Sequence, residues 1–179
     1  MQEKNVETAK TPNALAFKSA LAYAIYFLIL IYIFKAAGID QNNPDSSVAN
    51  KLVYSVASYL PFILAIIYVQ TNYKKELGNY ISFKTAFSAG FKVAAYAGLF
   101  IAVVLMFYYK VLDPAAYERL IESARTAAGG DTEKLRGVEM MKSYMVFFIG
   151  FGAAITYTIM GLITSLIGAV IIKNEVPVR

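Results

Sequence analysis

Apolar residues along this chain gather into four blocks, at about 14–34, 52–69, 84–109 and 144–172, with polar segments between them. At about 1.5 Å of rise per residue, helices of these lengths cross, or nearly cross, a hydrocarbon core of roughly 30 Å. The third block organises the rest. It follows Gly78-Asn79-Tyr80, carries Lys84 and Lys92 in its first part, runs charge-free from Val93 to Tyr109 and is closed by Lys110. Aromatic and lysine residues at both ends of an apolar run are interfacial anchors. Within it Gly90, Ala94, Gly98 and Ala102 recur every fourth residue, which makes a flat helix face open to close backbone approach. The last block carries its own ladders, Gly150, Ala154, Thr158 and Gly161, Ser165, Ala169. The spacing predicts that the third and fourth spans pack on these faces.

Thr11-Pro12-Asn13 reads as the start of the first helix, with a capping hydroxyl and proline at the first helical position. A signal peptide is the rival for this block. Its length, and Lys35 directly after it without a small-residue cleavage site, favour a span. The loop from Lys35 to Lys51 is rich in Asn, Asp and Ser, as a solvated connection is. Pro61 inside the second block predicts a kink whose freed backbone groups neighbours repair, and Ser55 and Ser58 are expected to bond within or between helices. Gln70 to Asn79 reads as the connection to the third span.

The longest polar segment, about 113–142, predicts two amphipathic helices at the membrane surface. Asp113-Pro114 is an N-cap followed by proline at the first helical position. Tyr117, Leu120, Ile121, Ala124 and Ala128 then share one face, Gly129-Gly130 stops that helix, and Asp131 caps the next. Leu135, Val138, Met141 and Met145 continue an apolar stripe, predicting that the second of these helices runs straight into the fourth span.

Composition agrees with this pattern and narrows the chemistry. The 179 residues are 58% hydrophobic and 16% charged, against about 25% charged in an ordinary soluble domain. All of it is expected to form one four-helix transmembrane domain, residues 1–179. The net charge of +5 sits on residues flanking the apolar runs, so the expected partner is the bilayer rather than nucleic acid. With no Cys and no His, the chain has no thiolate nucleophile and lacks the commonest general base and metal ligand. If both termini are cytoplasmic, that side holds nine Lys and Arg against eight outside. The short flanks, which weigh most, are lysine-dense there, so both termini are assigned inside. The first and third blocks share a lysine at each end and an aromatic-rich interior. That likeness reads as a common way of anchoring a helix, with a duplicated hairpin as the alternative.

The segment KKELGNYISFKTAFSAGF, the amphipathic stretch and a glycine-rich last span ending in IIKN together resemble a bacterial integral-membrane family, domain of unknown function 4199, widespread in Bacteroidota. Gly78, Tyr80, Ser82, Phe83, Ala86 and Phe87 carry the resemblance; Lys84 stands where relatives commonly have glycine. The resemblance implies a four-span inner-membrane protein and brings no catalytic residues.

The fold expected is therefore an all-α integral membrane protein, four transmembrane helices with an amphipathic helical segment between the third and fourth. Every acid falls outside the predicted spans, and no group of residues has metal-ligand spacing, so neither an enzyme nor a cofactor is expected. The leading expectation is a non-catalytic accessory or scaffolding subunit, joined to another membrane protein or to a second copy of itself. The alternative is a small transporter or channel, or a lipid-binding membrane protein, in which Lys92, with Lys84, contacts solute or lipid.

Overall fold

The computed structural model describes residues 12–39 and 46–174. The expected cap at Thr11, the first ten residues, the centre of the first polar loop and the tail after Asn174 lie outside the described residues. The elements are α1 (Asn13–Ala36), α2 (Val48–Glu76), α3 (Phe83–Phe107) with a π-helical turn (Tyr108–Leu112), α4 (Pro114–Ala127), α5 (Thr132–Met141) and α6 (Met145–Ile172). Four of these, α1, α2, α3 with its π turn, and α6, are long and apolar enough to cross a membrane, the architecture of a multi-pass membrane protein. Large apolar side chains cover the outside of the bundle. Ile33, Leu52, Leu99, Phe151 and Ile171 are all more than half exposed, as a lipid-facing girdle requires.

The bundle is built around α3, which packs on α1, α2 and, most extensively, α6. Close approach on the α6 side depends on missing side chains. A Cβ added at Gly98 would lie 2.8 Å from the carbonyl oxygen of Ala154, and one at Gly150 would lie 3.2 Å from that of Ala102. Gly161 lies against Ala94 so closely that an added Cβ would overlap the alanine methyl.

Local capping follows the sequence. Asp113 accepts from the Ala116 N–H at 3.1 Å with Pro114 next in the chain, and Asp131 accepts from the N–H groups of Glu133 and Lys134. Ser82 accepts from Thr85 N–H at the start of α3. Pro12 stands one position ahead of the first helical residue instead of inside the first turn.

Three further expectations need correction. The second span is longer than the apolar block. Ser47 caps it, and it continues through Glu76 because nothing from Gln70 to Glu76 breaks a helix; Gly78 and Asn79, both at positive φ, form the turn. Gln70, assigned to a connection, is instead fully buried among helices. The stripe from α5 does not run straight into α6. A turn at residues 142–144 separates them, the Tyr117 hydroxyl takes the Lys142 carbonyl, and α5 buries none of its own residues.

The bundle thus has two ends. At one, Lys74 donates to the Ile172 carbonyl at 2.8 Å, and Ile81 and Asn174 exchange backbone hydrogen bonds, fastening the end of α6 to the α2–α3 turn. At the other, α4 packs on the π-helical turn, joined to α5 by the Arg125–Glu139 ion pair and to the turn after α5 by Lys142–Glu118.

Candidate functional site

Pro61 sets the shape of α2. It has no N–H to give the carbonyl four residues earlier, that of Ala57, and the Tyr26 hydroxyl of α1 donates to it at 2.8 Å. One turn along α1, the Tyr23 hydroxyl donates to the Ser58 carbonyl at 2.8 Å. The Tyr23 hydroxyl also lies 3.0 Å from the Tyr157 hydroxyl of α6, so its one proton is shared between that oxygen and the Ser58 carbonyl. Helices α1 and α6 barely touch through their backbones, and Tyr157 joins them through the Tyr23 hydroxyl and the edge-on ring of Phe27. From here toward the α2–α3 turn the bundle is solid, with Phe62, Ile66, Val69 and Gln70 all fully buried. Gln70 gives its amide protons to the carbonyls of Ala86 and Ser165, at 3.1 and 2.9 Å, and so ties α2 to α3 and α6.

Toward α4 the helices leave a cavity of about 480 Å³. Its floor is Tyr157, Ser58 and Tyr59, near the kink. Its walls are apolar and aromatic, among them Phe27, Ile31, Leu105, Ile149 and Ala153, and α4 covers it with Ala116, Arg119 and Leu120. Ser58 Oγ is buried at this floor without a hydrogen bond to a described residue, although its hydroxyl was expected to bond.

The mouth is charged. Asp113, 6% exposed, receives Lys35 Nζ at 2.6 Å, the Tyr108 hydroxyl at 3.0 Å and Arg119 Nη2 at 3.4 Å, all on Oδ2, while Oδ1 accepts from Ala116 N–H. Burial pushes this carboxyl up, but the hydrogen bonds from Lys35, Tyr108 and Ala116 outweigh it and hold the group below its ordinary value. The Lys35–Asp113 pair also joins the end of α1 to the start of α4, closing α4 down over the cavity. Lys35 and Arg119 are both about half exposed, and each has donor protons beyond the one it gives Asp113. Among the described residues, two cations and one carboxylate leave the mouth one positive charge in excess.

The residues singled out by spacing fall elsewhere. Gly90, Ala94, Gly98 and Ala102 of α3 lie against α6, facing Ser165, Gly161, Ala154 with Thr158, and Gly150 respectively. Lys84 is exposed and Lys92 half-buried; neither lines the cavity, and neither makes a hydrogen bond or ion pair with a described residue. The cavity residues Lys35, Ser58, Tyr59, Arg119 and Tyr157 were not grouped by the sequence. The signal that could have led to them is the proline kink, whose carbonyls need donors, together with the tyrosine-rich first span.

A family model described as protein of unknown function (DUF4199) matches residues 18–174. No curated protein and no solved structure matches the chain.

Proposed function

We propose, for this chain that belongs to the DUF4199 family of proteins of unknown function, a non-catalytic accessory role in the bacterial inner membrane, in which the protein holds an amphiphile between its helices. The cavity carries this reading. Its volume of about 480 Å³ falls within the roughly 300–1,000 Å³ of small-molecule sites. From Phe27 to Lys35 it follows α1 for about 12 Å, close to the roughly 15 Å of hydrocarbon in one leaflet. A charged mouth at the membrane interface and aromatic walls below it match a molecule with one polar end.

Two rival classes fit less well. Asp113, the acid at this mouth, has donors that favour its charged form, the reverse of what a proton donor working at neutral pH requires. A solute path would have to continue past Tyr157, where Phe62, Ile66 and Gln70 fill the bundle. Lys74, Lys75, Lys84 and Lys92 gather toward the α2–α3 turn, which favours a cytoplasmic position for that end and for both termini. Lys84 and Lys92 then act as interfacial anchors to lipid phosphates. The companions of such a protein are the bilayer and a second membrane protein or copy of itself.

Purification from the native membrane in mild detergent, followed by native mass spectrometry, tests this reading. The expected result is one small amphiphile per chain, absent from Ala153→Phe, which fills the cavity. A wild-type protein that carries only a stoichiometric protein partner would leave scaffolding through the outer surface and remove the binding role.

A further inference from the structure

We infer that the guest is a single-chain fatty acid whose carboxylate is held by Lys35 and Arg119, an assignment that rests on the cavity's being a binding site. The volume of the cavity suits one chain and not the two of a phospholipid. The mouth already shows which anion its cations accept, because Lys35 and Arg119 converge on one carboxylate oxygen, Oδ2 of Asp113. Lysine offers three donor protons and arginine five, so the bonds to Asp113 leave capacity for a second carboxylate beside it. With Asp113 charged, the described residues give the mouth one excess positive charge, which a fatty acid anion offsets. A zwitterionic headgroup would leave the excess in place, and a neutral one would leave Arg119 without a second anion. The alkyl chain then runs between Ile31 and Ile149 to the Tyr157 ring, where the α1–α6 tyrosine pair closes the floor.

The experiment compares dodecanoate with dodecanol, added to the full-length protein in a non-ionic detergent and counted by native mass spectrometry. Dodecanoate is expected to bind about tenfold more tightly than dodecanol, the worth of roughly one charge-assisted hydrogen bond. Arg119→Gln is expected to erase that preference and Arg119→Lys to restore most of it, while Ala153→Phe abolishes binding of both. Arg119 is chosen because it is half exposed and the more distant of the two cations, so its loss leaves Lys35 on Asp113. A melting curve on each variant confirms that it is folded. Equal binding of the two ligands, blocked by Ala153→Phe, would overturn the fatty acid assignment and keep the cavity as a site. Binding that Ala153→Phe does not change, or no binding at all, would overturn both.

Discussion

The hydroxyl of Tyr26 and the carbonyl of Ala57 form a hydrogen bond of 2.8 Å in place of the one that Pro61 removes from its own helix. In hydrocarbon no water repairs a broken helical ladder, so a neighbour must. Tyr26→Phe is expected to lower stability in detergent by about 1 kcal/mol, the usual worth of one such bond. The informative measurement is a double-mutant cycle with Pro61→Ala. An alanine restores an N–H at position 61, so Tyr26→Phe should then cost almost nothing. A cost that stays the same in the Pro61→Ala background would show that Tyr26 acts through packing alone.

Gln70 occupies a slot made by two glycines. An added Cβ at Gly90 would lie 2.6 Å from its Nε2, and one at Gly168 would overlap its Oε1. Gly168→Ala should therefore displace the amide and cost about 1–3 kcal/mol, as overpacking does. Gln70→Ala should also destabilise, by opening a cavity and freeing two helix–helix ties. Combined, the two changes compensate in volume, and their joint cost should be clearly less than the sum. Strict additivity in thermal melts would contradict the slot.

What could be read from sequence was local, and what could not was assembled from distant parts. Asp113 and Asp131 are caps because of their neighbours in the chain, and the lysine and tyrosine ends of the spans are likewise local. The mouth joins Lys35 to Asp113 across 78 positions, and the floor joins Tyr23 to Tyr157 across 134, with no periodicity connecting either pair. Gln70 was misplaced for a different reason. Its polarity suggested the end of a span, whereas two backbone carbonyls accept both protons of its amide nitrogen inside the bundle. The turn at residues 142–144 was hidden because apolar positions continue through it in helical register. The partners that hold Lys142 in that turn, Tyr117 and Glu118, come from α4, which the stripe does not record.

Glycines of equal helical propensity should differ sharply in what they tolerate. Gly98→Ile drives a side chain against the backbone oxygen of Ala154, 2.8 Å from the added Cβ, and α6 cannot yield there without moving as a whole. The expected result is a fall of several degrees in the detergent melting temperature and looser α3–α6 packing. Gly152 lies on α6 with nothing within 4 Å of an added Cβ. Gly152→Ala should leave the melting temperature unchanged or raise it, since alanine favours helix over glycine by about 1 kcal/mol. If the two variants melted alike, contact between α3 and α6 at Gly98 would not be what holds the pair.

The Asp113 latch should fail only in acid. Its folded carboxyl lies below the ordinary 3.8, so it contributes stability in full above that value and loses it as pH falls through the depressed one. The charged groups facing it are Lys35 and Arg119, and Tyr108 donates to the same oxygen. Asp113→Asn removes the charge while keeping the shape, and it leaves Lys35 and Arg119 without their carboxylate. The variant should therefore melt below wild type at neutral pH. The gap should hold steady down to about pH 4 and close only below it. Taking the difference between the two proteins isolates the contribution of Asp113. A gap that already narrows between pH 6 and 5 would mean that burial, and not Lys35, sets the charge state of Asp113.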